Sequence, residues 1–373
     1  MKNVCMIGTQ FIGVPAVKGG AIEYLSFELA KGLAGKGFNV TYYSVLSEGR
    51  EEICIKNLRI VRFPAKKVNG ILFNLFVFFN ALAKGFDLVY FSGCSTLPSA
   101  WLLAKIKGIP LIYHEFNHNP WVGGKNFVFD WLSRKSVKLS DVTVTPSNFI
   151  KRKIIELIPS AKKKLFAVHN SIDLKEFPKR MPEKKKRIVF VGRILEHKGL
   201  HYLIESMKEL RGNYPEWALS IIGPKGEFNR EDEGYYIKIK KMINDFELKE
   251  KVFFKGQLPR KELVKELSSA SLLVLPSSEE AFGLVLVEAM ASFTPCIAFD
   301  SGATREIIED NKNGFLVENG NQKGLNNKIG LLAKNNELRR RFSLNARKAV
   351  EEKFSIEKCL KKWIGLIEVE PKK

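Results

Sequence analysis

Short apolar runs alternate with longer amphipathic stretches from one end of this 373-residue chain almost to the other, and the alternation stops once and restarts. Val4–Gly8 reads as a strand, Ala21–Gly35 as a helix and Asn39–Ser44 as a strand; Asp87–Phe91 and Pro110–Tyr113 continue as strands beside helical segments, and Phe166–Val168 closes the series. This is the rhythm of a parallel sheet covered by helices on both faces. Lys175–Arg187, with two prolines and a run of lysines, reads as a linker. A second series opens at Arg187–Gly192 and runs through strands Ala218–Gly223, Val252–Lys255, Ser271–Pro276 and Pro295–Phe299, with helices Leu200–Leu210, Tyr235–Asp245, Arg260–Ser268 and Leu284–Ala291 between them. The expected architecture is α/β: two doubly wound, Rossmann-like domains, residues 1–168 and 187–353, joined by a hinge at 169–186. A C-terminal helix near 354–373 is expected to return to the first domain. Such tandems place their ligands where the carboxyl ends of the strands face a cleft.

Composition narrows the partners. The net charge is +21, and it is uneven: residues 1–180 carry +14 and residues 181–373 carry +7. A basic first half suits an anionic partner or surface, and equally a solvated face. A nucleic-acid-binding protein would account for the charge, but the sequence shows no aromatic-basic recognition module, so nucleic acid is not expected as a partner. The five cysteines are scattered without a close pair, which argues against a disulfide framework or a zinc site. No Asp-x-Asp pair occurs, and Glu231–Glu233 lies in a charge-rich stretch, so no metal site is expected. Met1–Lys2 leads directly into a strand, so no secretory leader is expected and a cytoplasmic location is. Ile71–Ala83 is strongly apolar but only 13 residues long, short of the roughly 20 that cross a bilayer. It is expected to be a buried helix, or else one lying in the membrane interface with Arg62, Lys66, Lys67 and Lys84 near anionic headgroups.

The residues with the strongest chemical content lie in PSSEEAFGLVLVEAMA, 276–291. A strand ends at Pro276, a polar loop follows, and a helix starts near Gly283 or Leu284, whose free N–H groups suit a phosphate. Glu280 belongs to the loop and Glu288 to the second helical turn; a carboxylate among Val285–Val287 and Ala289–Met290 needs partners, either ligand hydroxyls or a neighbouring cation. Arg193 and Lys198 follow a strand end, where two cations can neutralise a departing diphosphate. Gly19–Gly20 permits close backbone approach to a ligand. His114 follows a strand directly, and His118 lies on the loop beyond it; for either, a histidine satisfied inside the core is the plainer reading.

Taken in order, these segments resemble the large retaining glycosyltransferase family called glycosyl transferases group 1 (family 4), of GT-B architecture. The resemblance rests on 276–291 together with the Gly19–Gly20 loop and the helix and strand after it (21–44), VHNSIDLKEF (168–177), VGRILEHKGLHYLIES (191–206), SGATREII (301–308) and NGFLV (313–317). It implies a sugar nucleotide, UDP- or GDP-linked, as donor substrate, with no metal or other cofactor, and a glycan acceptor; the basic first half and Ile71–Ala83 suggest that the acceptor is lipid-linked or near a membrane. By resemblance, Arg193, Lys198 and the Gly283–Leu284 amides meet the diphosphate, Glu288 the ribose, Gly256–Leu258 the base and Glu280 the sugar hydroxyls, with Phe282 a further substrate-binding residue. Gly20 and His114 are implied to close on the sugar; His118, displaced onto the following loop, is instead placed to touch acceptor. Phe293, Ala303 and the Gly223–Gly226 segment depart from the family's glycine patterns. A GT-B sugar-nucleotide epimerase or phosphorylase is the alternative within the same architecture.

Overall fold

The computed structural model describes residues 2–16, 20–46, 55–65, 68–117, 119–121, 126–225 and 230–368; Gly19, Lys66, Lys67, His118 and Gly226 lie outside them. Two compact units divide the chain: Met1–Ile172 with Ile356–Lys373, and Asp173–Ser355.

In the first unit the order is β1 (Asn3–Ile7), α1 (Ala21–Gly35), β2 (Asn39–Val45), β3 (Leu58–Phe63), α2 (Gly70–Leu82), β4 (Leu88–Phe91), α3 (Leu97–Lys107), β5 (Leu111–His114), α4 (Phe127–Leu139), β6 (Val142–Thr145), α5 (Asn148–Leu157) and β7 (Leu165–Ala167). The strands form one parallel sheet in the order β3-β2-β1-β4-β5-β6-β7. Side-chain caps start several helices: Asn69 accepts from Ile71 N–H at 2.8 Å, Asn126 from Phe129 N–H at 3.1 Å and Ser147 from Ile150 N–H at 3.2 Å. Because parallel crossovers are right-handed, the connections that run outward from β1 on opposite sides place α1 on one face and α2, α3 and α4 on the other.

The second unit runs β8 (Lys185–Val191), α6 (Leu200–Asn213), β9 (Ala218–Ile222), α7 (Arg230–Asp245), β10 (Val252–Gly256), α8 (Arg260–Ser269), β11 (Ala270–Leu275), α9 (Leu284–Ala291), β12 (Cys296–Phe299), α10 (Thr304–Ile307), β13 (Gly314–Val317), α11 (Gln322–Lys334) and α12 (Asn336–Lys353). Its sheet is also parallel, in the order β10-β9-β8-β11-β12-β13. Every residue of β11 is buried, as a continuous apolar run between two helical layers requires. Both units are Rossmann-like α/β folds.

The last helix, α13 (Ile356–Glu368), belongs to the first unit. Cys359, Leu360, Trp363 and Ile367 make one stripe that joins the core of α1, and Gly32 of α1 leaves room for it, since a Cβ there would meet Leu360 Cδ1 at 2.6 Å. Ile356 N–H donates to Ile172 O at 3.0 Å, which ties the returning chain to the last residue of the unit's first segment.

Two readings need correction. The lysine run taken as linker is partly structural: Lys185 and Lys186 are already in β8, and Lys184 donates to Ser268 O, Ser292 O and Thr294 Oγ1 at 2.7–2.9 Å. Burial pulls the Lys184 ammonium down to about 7. Helix α2 is not buried either. Only Phe73, Val77 and Ala81 face inward, while Ile71, Leu72, Leu75, Phe79 and Leu82 are exposed.

Candidate active site

In each sheet, two connections leave neighbouring strands in opposite directions, and the crevice outside the carboxyl ends at that reversal is where ligands bind in such folds. In the second unit the reversal falls between β8 and β11. The loop after β8 carries Arg193 and Lys198; the loop after β11 carries Glu280 and leads into α9. The two loops meet there: Lys198 Nζ lies 2.6 Å from Glu280 Oε1, with the two side chains only 19% and 11% exposed.

Backbone contacts make that meeting close. Gly199 has φ +68°, and a Cβ on it would fall 1.9 Å from Pro276 O; Gly302 has φ +57°, and its Cβ would fall 2.0 Å from Glu280 O. Ser278 N–H donates to His197 O and Ala303 N–H to Glu280 O, at 2.9 and 3.0 Å. Ala303, a departure from the glycine pattern, therefore serves through its amide. His197 stands among these charges. Burial first, then the Lys198 and Arg193 cations, lowers its ring pKa, with Glu280 and Glu279 opposing. Arg193 itself is exposed.

Helix α9 starts at Gly283, whose φ of +94° turns the chain without any side-chain cap, so the first-turn amides at Leu284 are left to another acceptor. Leu284 is half-buried beside this start. Phe282 is turned away: its ring is buried edge-on against Phe354, centroids 5.9 Å apart, so only its backbone stays at the loop. Gly192 and Gly223 follow directly on β8 and β9, and β10 ends in Gly256; Gly192 N–H donates to Ile222 O and Gly223 N–H to Gly256 O. Gly256 has φ +66° and is exposed, with half-buried Leu258 two residues on.

Glu288 sits in the second turn of α9 with its side chain 6% exposed. Its charge is met by Arg260, the first residue of α8, which also reaches Glu176 Oε2 at 2.8 Å and stacks over Phe177. Of the two kinds of partner the sequence allows this carboxylate, the structure supplies the cation, Arg260, which no sequence motif marks. Behind α9, Phe293 has φ +57°, a conformation that favours glycine. Its ring is buried beneath Arg347, which donates to Ala291 O at 2.7 Å. Among the described residues no cluster of His, Cys, Asp and Glu is arranged to hold a metal.

In the first unit the reversal lies between β1 and β4. Gly20, with φ +74°, opens α1 there, and the buried Glu23 carboxylate of its first turn accepts from Thr9. Burial raises the Glu23 pKa, with the Thr9 bond opposing. His114 ends β5, but its ring does not project freely. It is 5% exposed, with the Phe116 ring tilted against it at 3.8 Å and the Trp363 ring edge-on at 4.8 Å between centroids. Its Nδ1 bonds the Tyr90 hydroxyl at 2.9 Å, and Nε2 is buried with no partner among the described residues. Burial holds the ring neutral, pushing its pKa down to about 3. The neighbouring Glu115 is fully buried and anchors the loop after β5, accepting from Asn117 N–H, Tyr113 Oη and Trp121 Nε1 at 2.7, 2.9 and 3.0 Å. Burial raises its pKa to about 6 against those donors.

These two groups predict an acid response. Between pH 6.5 and about 3 the unfolded chain protonates a histidine that the folded chain keeps neutral, so the His114 contribution is complete above pH 6.5 and is lost as pH falls. Glu115 acts oppositely: between about 6 and 4.5 the folded state takes up the proton first. The stability difference between the wild type and His114→Gln should therefore shift by about 2 kcal/mol against the wild type from pH 7 to 5. Urea unfolding at the two values checks this; parallel losses in both proteins would contradict a buried neutral ring.

Two Rossmann-like units in one chain are the makings of the GT-B class, and solved structures of that class superpose on this chain. Sucrose-phosphate synthase from Thermosynechococcus elongatus superposes with a TM-score of 0.82 at 18% identity, covering 98% of each chain. HepE of Anabaena, solved with UDP and glucose, superposes with a TM-score of 0.79 at 16% identity over 98% of this chain and 99% of that one. Residues 171–349 match the family glycosyl transferases group 1, and residues 19–176 match glycosyltransferase family 4. The chain belongs to the group 1 glycosyltransferases. An uncharacterized glycosyltransferase of Haemophilus influenzae is 27% identical over 367 residues, 93% of this chain and 96% of that protein. A poly(ribitol-phosphate) alpha-N-acetylglucosaminyltransferase of Staphylococcus aureus is 34% identical over 203 residues, 54% of this chain but only 39% of that protein.

Proposed function

We propose that this glycosyltransferase moves a sugar, with retention of anomeric configuration and without a metal ion, from a UDP- or GDP-sugar to a glycan or lipid-linked acceptor on the cytoplasmic side of a membrane. The observation that carries this is the Lys198–Glu280 contact at the β8/β11 reversal, beside the uncapped start of α9. A diphosphate accepts hydrogen bonds and carries negative charge, so it fits Lys198, Arg193 and the Gly283–Leu284 amides. When it binds, the Lys198 ammonium turns from Glu280 to phosphate oxygen. Glu280 is then left to accept from sugar hydroxyls. The cations and helix dipole stabilise charge that grows on the leaving phosphate, the work a divalent ion does elsewhere. Glu288, held by Arg260, accepts from the ribose hydroxyls, and the base lies against the Gly256–Leu258 turn.

Retention follows the family's front-face course: the leaving phosphate takes the acceptor's proton, and neither glutamate needs to become a nucleophile. In the first unit, the neutral His114 and the Gly20 turn are the candidates for positioning the sugar. Relatives such as the poly(ribitol-phosphate) alpha-N-acetylglucosaminyltransferase and a capsular polysaccharide biosynthesis glycosyltransferase, both of Staphylococcus aureus, support a glycan acceptor.

A thermal-shift screen against UDP-, GDP- and ADP-sugars tests the donor. The matching sugar nucleotide, at a hundred times its Kd, should stabilise by about 2.7 kcal/mol, with EDTA making no difference. A flat response to all of them would sink the proposal. Turnover of the nucleotide-sugar with no acceptor present would point instead to an epimerase.

A further inference from the structure

The side of the first unit's sheet that carries α2, α3 and α4 is apolar outward as well as inward. Eleven of the twenty-one large apolar side chains exposed among the described residues lie on these three helices. The helices are neighbours, α2 against α3 and α3 against α4. On α2 the exposed Ile71, Leu72, Leu75 and Phe79 fall within about 100° of one another at helical spacing, so they form one stripe. On α3 the stripe is Leu102 and Ile106; on α4 it is Phe127, Val128 and Trp131, with Phe127 83% exposed. The second unit, of similar length, exposes only five such side chains, on separate elements. A run of three adjacent helices with outward apolar stripes is far more than scattered surface hydrophobics provide.

The charges on the same helices have one sign. Neither α2 nor α3 contains an acidic residue, and α4 has only Asp130. Lys105, Arg134, Lys135 and Lys138 are exposed there, and Lys105 and Lys135 ride over the Trp101 and Trp131 rings at 4.9 and 5.6 Å. A second copy of the chain docked by the same face would set lysines against lysines with only Asp130 to meet them. A bilayer of anionic lipid meets both demands, acyl chains under the apolar stripes and phosphates around the cations. The helices also start at the carboxyl ends of β3, β4 and β5, so Ile71, Leu72, Phe127 and Val128 lie at the sheet edge that carries the Gly20 turn and His114.

We infer that the α2–α3–α4 face docks on the surface of an anionic phospholipid bilayer. The helices lie in the interface and do not cross it; no helix among the described residues is long and apolar enough to span. The surface deepens the reading of a membrane-proximal acceptor, yet its binding is measured without donor or acceptor, so its failure would leave the transfer reaction standing.

The test is co-sedimentation of the full chain with phosphatidylcholine vesicles, with and without phosphatidylglycerol. Binding is expected to the mixed vesicles at low salt, weakening as salt rises. The double substitution Phe79→Glu, Trp131→Glu should lower the partition coefficient by about tenfold or more, while Leu344→Glu on α12 leaves it unchanged. Lys105→Glu with Lys135→Glu should remove only the preference for the anionic lipid. An unaltered melting transition shows that the variants fold, as expected for exposed positions. Absence of sedimentation with mixed vesicles at low salt, or binding that survives the Phe79 and Trp131 changes, overturns the inference. So does a concentration-dependent dimer that those changes abolish while vesicles go unbound.

Discussion

Lys198→Ala should lower kcat by about 10²- to 10³-fold, the loss typical of removing one preorganised group from a developing oxyanion. The acceptor KM should change little, because the role proposed for this cation is toward the donor phosphate. The substitution leaves the frame of the loop in place: Gly199 still passes within backbone contact of Pro276, and Ser278 N–H still holds His197 O. What goes is a partly buried ammonium 2.6 Å from Glu280. Lys198→Arg should recover part of the activity, since charge is restored but the planar fork cannot reproduce a single short contact in the same space. Glu280→Gln keeps the cation and should weaken the sugar side instead, so its loss should differ between sugar nucleotides of the same base. Steady-state kinetics with the donor found by thermal shift decides the matter. An unchanged kcat for Lys198→Ala removes the role given to it.

The largest stability effect should come from Arg260→Leu. Arg260 meets Glu288, whose side chain is 6% exposed, and reaches Glu176 at 2.8 Å. Removing one partner of a buried pair leaves the other charge uncompensated, at a cost of about 3–5 kcal/mol. For a unit of this size that corresponds to a fall in Tm of roughly 6–20 °C. Adding Glu288→Leu to Arg260→Leu should restore much of the stability while leaving nucleotide binding impaired. Calorimetric melting of the three proteins, read as a double-mutant cycle, tests the coupling. A loss under about 1 kcal/mol for Arg260→Leu would mean that water already solvates Glu288.

The parts of this protein that could be read from its residues are those governed by local pattern. Strand β11 is buried along its whole length and β8 carries the buried apolar run Ile188–Phe190, and the polar turn 277–283 after β11 marks a strand-to-helix transition without help from the rest of the chain. Lys198, Glu280 and Glu288 were legible for the same reason. β3 was not, because LRIVRF on the sheet edge mixes arginines into its apolar positions, and β6 is only four residues of valine and threonine.

Long-range partners were also hidden. Arg260 lies 28 residues before Glu288, and only the packing of α8 against α9 brings them together. Trp363 reaches His114 because α13 returns to the first unit from the far end of the chain, which changes an apparently open histidine into a buried neutral one. Phe293 illustrates a departure that had a backbone meaning: a left-handed turn normally suited to glycine, kept here by burying the ring under Arg347. The apolar character of α2 was plain in sequence, but its exposure was not, since composition does not say which face a neighbouring sheet will cover.

The central claim, a sugar-nucleotide site built on the second unit around Lys198, Glu280 and Glu288, is tested most directly by isothermal titration of UDP- and GDP-sugars in EDTA, with wild type and Glu288→Gln side by side. The account predicts one saturable site for one of the two nucleotide classes, unaffected by the chelator and weakened about tenfold or more by Glu288→Gln. Binding that requires added metal, or that is equally tight when Glu288 is replaced, would contradict it.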